Sequence, residues 1–168
     1  MDTLSHALYG GLVTRRFSKN KQTFVLSFIF GALPDLMLAT LSPIRAVKIF
    51  FTPGSSLPEY YIYYYRILHS FFTALLIYLC FRLFNKKYTY LAIPYFFHIL
   101  LDIPTHSGHF ATQFLYPFST FAIQGYTYTR HLWLWITNFF VLIALYLWCY
   151  HKSRYAPQSS SSPQSSRP

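Results

Sequence analysis

His98-Ile99-Leu100-Leu101-Asp102-Ile103-Pro104-Thr105-His106-Ser107-Gly108 sets a histidine and an aspartate four residues apart inside an apolar run. On an α-helix, residues i and i+4 share one face a single turn apart. The spacing therefore predicts that His98 and Asp102 point at one common spot. An imidazole nitrogen and a carboxylate oxygen are both ligands for a divalent metal, zinc in particular. An aspartate in an apolar segment is costly unless it is paired, neutralised or bound to metal. The plainer alternative is a hydrogen-bonded His98–Asp102 pair that ties two helices together.

The surrounding composition decides the class. Of 168 residues, 54% are hydrophobic and 22% aromatic, but only 11% are charged. Soluble domains carry about one quarter charged residues, so the chain reads as an all-α integral membrane protein of one domain. Fourteen Lys and Arg oppose four acids, a net charge of +10. The basic residues flank apolar runs instead of forming one stripe, which fits anchoring at anionic lipid and gives no reason to expect nucleic acid. The many Phe and Tyr read as packing and lipid contact. Cys80 and Cys149 each lie in an apolar run and form neither a disulfide framework nor a CxxC metal site. Residues 1–11 contain Asp2 and His6 and lack a basic start, so no cleavable signal peptide is expected.

Taken in order, residues 2–12 open a short helix capped by Asp2 or Thr3, too short to cross a bilayer but long enough to penetrate half of it. Arg15, Arg16, Lys19 and Lys21 form a basic turn. Residues 23–41 are a first spanning helix, disturbed at Pro34 and carrying Asp35 near its far end. Residues 42–65 read as a loop that ends in an interfacial tyrosine cluster. Arg66 and His69 lead into a second span to about residue 84, and residues 88–103 form a third, interrupted by Pro94. A second long loop covers 104–130, and 131–150 is the last span, giving about four in all. Residues 1–155 are thus the membrane-embedded domain, and the Ser/Pro/Gln tail at 156–168 is expected to be disordered.

The basic turns belong on one side, and the positive-inside rule makes that side, with the tail, cytoplasmic in a cell membrane. Asp35, His69, His98 and Asp102 then all fall near the outer face. His6 joins them if the first helix folds back on the second. Five metal-competent side chains from four segments are expected at one depth.

The chain resembles the YdjM-type family of membrane-bound proteins, classed as metal-dependent hydrolases, over roughly residues 1–125. The residues that carry the resemblance are Ser5-His6-Ala7-Leu8-Tyr9-Gly10, Gly31-Ala32-Leu33-Pro34-Asp35, Arg66 with His69-Ser70, the opening stretch, and Leu115-Tyr116-Pro117-Phe118-Ser119. That family is distantly similar to zinc-dependent phospholipase C, which shares the HxxxD pattern. By that resemblance His6, Asp35, His69, His98 and Asp102 hold the metal. Many relatives carry a second aspartate where this chain has Met37, and a histidine where it has Tyr65. These departures predict fewer metals than the fullest version of the family holds.

The expected function is a hydrolase in which a divalent ion, zinc by preference, activates water at the membrane surface. Asp35 or Asp102 bridges or takes up the proton. Arg66, three residues before His69 and so on the same helical face, is placed to bind a substrate phosphate; a snorkelling interfacial arginine is the alternative. A lipid phosphoester is the first substrate class. A catalytically degenerate membrane scaffold is the main competing function, and a proton or metal transporter a weaker one. His106 and His109, in the outer loop, are candidates for a further ligand or an acid/base, with solvated loop histidines the favoured reading; His131 and His151 read as interfacial.

Overall fold

The computed structural model describes residues 1–15, 20–41 and 58–154. Among them there are helices and turns and no strand. Helix α1 (Thr3–Arg15) starts where expected. Asp2 caps it, one carboxylate oxygen accepting the Ser5 N–H at 2.8 Å and the other the Ser5 hydroxyl at 2.6 Å. Helix α2 (Lys21–Leu41) runs through Pro34 without ending. Proline removes one helix hydrogen bond, and such a loss is tolerated where neighbouring helices enclose the segment.

Residues 59–65 were expected in a loop, and here the structure differs. They belong to α3 (Glu59–Leu68). Pro58 presets the backbone ahead of the first turn, and Glu59 lies in that turn, where the helix dipole favours an acid. Tyr61, Tyr65 and Leu68 recur at helical spacing and bury one face against Leu38. Tyr60, Tyr63 and Tyr64 stay exposed, so the tyrosine cluster is split between core and surface. The rest of that expected loop, 42–57, lies outside the described residues, as does the 156–168 tail.

Helix α4 (Phe71–Phe84) follows a break at His69 and Ser70, with Ser70 Oγ accepting the Thr73 N–H at 3.3 Å. A 3₁₀ turn (Lys86–Leu91) leads into α5 (Ala92–Thr105). Pro94 does not interrupt α5. It sits in the first turn, where a missing N–H leaves no helix bond unmade. Helix α6 (Leu132–Arg154) is the longest.

Among the described residues, two helices are long and apolar enough to cross a membrane, over Lys21–Thr40 and Leu132–Lys152. Helices α3 and α4 pass the same test together as a pair bent by 53°. Helix α5 has 14 residues, short of the roughly 20 a span requires. The expectation of about four spans thus becomes two long helices and one bent pair. The polar break at His69–Ser70 and the 3₁₀ turn ahead of Ala92 are what shorten the middle segments.

Helices α1 and α2 meet backbone to backbone. A Cβ on Gly31 would lie 2.5 Å from the His6 carbonyl, and one on Gly10 would lie 2.9 Å from Gly31 Cα. Small residues permit this approach between helices in lipid. Helix α5 packs across both. Helix α6 is held to α1 by polar bonds, with Tyr9 donating to Asn138 Oδ1 at 2.9 Å, Asn138 Nδ2 to Ser5 Oγ at 2.7 Å and the Tyr146 hydroxyl to the Leu8 carbonyl at 3.1 Å. Its remaining faces expose Ile136, Phe139, Phe140 and Leu147, as a lipid-facing helix does. Past α5 the chain doubles back: Gly125 N–H donates to the His106 carbonyl and Tyr126 N–H to the Pro104 carbonyl, both at 2.9 Å.

Gly31→Ala forces α1 away from α2. The expected loss is about 1–3 kcal/mol, read as a lower thermal unfolding midpoint in detergent. An Ala substitution at a helical position without this contact should cost nothing measurable.

Candidate metal centre

Helix α5 sets His98 and Asp102 on one face, His98 Nε2 lying 3.1 Å from Asp102 Oδ2. His98 Nδ1 lies 2.7 Å from the Gly31 carbonyl. A carbonyl only accepts, so Nδ1 carries the proton and donates. The neutral ring then turns the Nε2 lone pair toward the carboxylate. His69, at the break between α3 and α4, is arranged in the same way. Its Nδ1–H donates to the Tyr65 carbonyl at 3.0 Å, and its Nε2 faces Asp35 Oδ1 at 3.3 Å and Asp102 Oδ2 at 3.5 Å.

His6 enters from α1 because Gly10 and Gly31 bring that helix close. Its ring stacks on His98 at 3.7 Å, and its Nε2 lies 2.8 Å from Asp102 Oδ1. Asp35 arrives from α2, with Oδ1 3.7 Å from His98 Nε2. The structure thus brings together all five residues singled out in the sequence. Two overlapping trios, His6–His98–Asp102 and Asp35–His69–His98, each keep their donor atoms within 4.8 Å of one another.

These contacts are not a satisfied hydrogen-bond network. Both nitrogens of His6, Nε2 of His98 and Oδ2 of Asp102 are buried and without a hydrogen-bond partner. The close His6–Asp102 and His98–Asp102 approaches have ion-pair distances without hydrogen-bond angles. With Nδ1 of His98 already donating, a neutral ring leaves two acceptors facing each other across 3.1 Å. A proton or a metal cation between them removes that repulsion. Protonating His98 and His69 together would bury two positive rings whose centroids are 5.1 Å apart, at a high desolvation cost. Imidazole nitrogens with carboxylate oxygens are the donor set zinc takes, and the residues present fit such an ion.

Burial grades the site. His69 and Asp102 are wholly enclosed, whereas the Asp35 side chain is 23% exposed. Asp35 therefore marks the side from which the site is reached.

His106 is a correction to the sequence reading. It does not sit free in solvent: its Nδ1 lies 3.1 Å from Asp102 Oδ1. The step from Asp102 to His106 repeats the four-residue step from His98. The signal was present, and Pro104 hid it, since proline reads as the end of a helix that in fact runs to Thr105. The amino group of Met1 reaches the same oxygen at 2.9 Å, a contact no pattern in the chain marks. His109 is exposed, as expected. Arg66 is half-buried and makes no ion pair with either aspartate among the described residues, and its Nε is buried without a partner.

The same residues, in the same order, can be set against known proteins. Residues 1–160 match the YdjM inner membrane protein family. The chain belongs to that family. No curated protein and no solved structure matches it. Membership places this YdjM chain in the inner membrane, which its two long apolar helices fit. Met37 is 43% exposed. Tyr65 lies stacked on the His69 ring at 4.1 Å.

Removing one imidazole from this centre should leave Asp102 poorly compensated. His98→Ala is expected to lower stability in detergent by about 3 kcal/mol or more. His109→Ala should stay within about 0.5 kcal/mol of the unaltered protein. Denaturation midpoints of the two variants, measured side by side, check the difference.

Proposed function

We propose that this YdjM-family chain is a membrane-bound metal-dependent hydrolase, with His6, Asp35, His69, His98 and Asp102 as the ligand set. The observation that carries the reading is the group of buried, partnerless nitrogen and oxygen atoms converging around Asp102. Zinc is the ion this donor set favours. When bound, it supplies Lewis acidity and lowers the cost of deprotonating water.

The chain's own groups divide the remaining work. The Gly31 and Tyr65 carbonyls hold His98 and His69 by their Nδ1 protons, so both Nε2 atoms face the centre. Asp102, fully enclosed, is an orienting ligand. Asp35, partly exposed, takes the proton of the attacking water and passes it to the leaving alcohol. Arg66, in the last turn of α3 just before the break at His69, pairs with the phosphate of the substrate. A lipid phosphoester is the proposed substrate, because a centre enclosed by membrane helices meets headgroups before it meets bulk solutes. The basic turn at Lys86 and Lys87 and the C-terminal tail are proposed to be cytoplasmic.

A second reading is a degenerate scaffold in which the same residues tie helices together. Met37 and Tyr65, in place of an aspartate and a histidine of relatives, favour it.

Metal analysis of the detergent-purified protein separates the two. The unaltered chain should retain close to one or more equivalents of zinc, and Asp102→Ala should retain almost none. Metal near zero in both would sink the hydrolase reading. A phosphodiesterase activity should then vanish on chelation, return with zinc, and fall about 100-fold or more in Asp35→Asn. Full metal with no hydrolysis of any phosphodiester would leave the scaffold.

A further inference from the structure

Tyr65 is buried to 3% exposure beside the site. It makes three separate contacts. Its ring lies on His69, with centroids 4.1 Å apart and planes 24° from parallel. Its carbonyl accepts the His69 Nδ1 proton at 3.0 Å. Its hydroxyl, at the far end of the ring, donates to the Phe110 carbonyl at 2.9 Å and lies 3.4 Å from Thr112 Oγ1. The hydroxyl is therefore committed to the loop and not to the metal centre. Phe110 in turn packs on the cluster that contains Tyr65.

We infer that Tyr65 is a positioning residue with two jobs: its ring fixes the orientation of His69, and its hydroxyl clasps the Gly108–Phe110 turn beside the site. The first job rests on the metal-hydrolase reading only for its consequence, since the orientation of His69 is a property of the protein alone. Helix α3 ends at Leu68, and the His69 N–H closes its last turn on the Tyr65 carbonyl at 2.9 Å, the same oxygen that accepts the Nδ1 proton. One such bond leaves the imidazole free to rock about Nδ1, and the stacked Tyr65 ring restricts it to the orientation that aims Nε2 inward. Tyr65 thus supports a candidate ligand from behind. Residues that orient a ligand in this way typically change metal affinity 10–100-fold when removed.

Substitutions separate ring from hydroxyl. Tyr65→Phe keeps the ring and should leave zinc affinity, and the histidine ring NMR signal of His69 with its proton on Nδ1, as in the unaltered protein. It should speed hydrogen exchange at the Ala111 amide, which is bonded to the Gly108 carbonyl within the clasped turn, by about five-fold. Tyr65→Leu removes the ring but keeps the backbone carbonyl that accepts the Nδ1 proton, so the His69 tautomer should hold while zinc binding weakens 10–100-fold and the His69 ring signals shift and broaden. A purely structural role predicts that both variants lose thermal stability while the His69 ring signals keep their positions and widths, and that result overturns the inference. So does unchanged Ala111 exchange in Tyr65→Phe, which remains readable if Tyr65→Leu fails to fold. Should the unaltered protein hold no zinc, the hydrolase reading fails, and the ring-signal and exchange measurements still decide the role of Tyr65.

Discussion

The fully enclosed carboxylate of Asp102 is the constraint to which the rest of the molecule answers. A bare carboxylate in an apolar interior is too costly to persist. Here its two oxygens are met from different directions. Oδ1 faces His6, His106 and the Met1 amino group, while Oδ2 faces His98 and His69. Those partners come from the amino terminus, α1, α5 itself, the α3–α4 break and the end of α5. One acid thus links elements from four parts of the chain.

Bringing so many groups to one carboxylate requires unusually close helix packing. Gly10 and Gly31 let α1 and α2 touch through their backbones, which is what carries His6 onto the face of His98. Gly31 also supplies the carbonyl that accepts the His98 proton, so one residue serves both the helix contact and the tautomer of a candidate ligand. Likewise the break at His69–Ser70, which costs α4 some of its reach across the bilayer, is what turns the His69 ring inward.

The centre also has a direction. Asp102 and His69 are sealed, whereas Asp35 retains some exposure. A helix dense in apolar residues, α6, touches the bundle through α1 by way of Asn138, Tyr9 and Ser5 and otherwise presents its side chains to lipid.

Much of this was legible in residues alone. The low charge and the apolar runs point to a helical membrane protein, because an unbroken apolar run satisfies its backbone in lipid as a helix, whereas a barrel strand alternates apolar and polar residues. The four-residue step from His98 to Asp102 determines a shared face, because helical geometry is local. Tertiary structure decided what depends on neighbours. Tyr61 and Tyr65 belong to a helix because Leu38 offers a face to bury them against, which no local propensity encodes. Pro34 and Pro94 read as interruptions, yet both sit inside helices, since enclosure by other helices and placement in a first turn remove their cost. His106 reaches Asp102 because α5 continues through Pro104, and the Met1 amino group reaches it because the α1–α2 contact is so close. Which groups share a face follows from the spacing of residues along one helix. Which faces share a centre follows only from how closely the helices can approach.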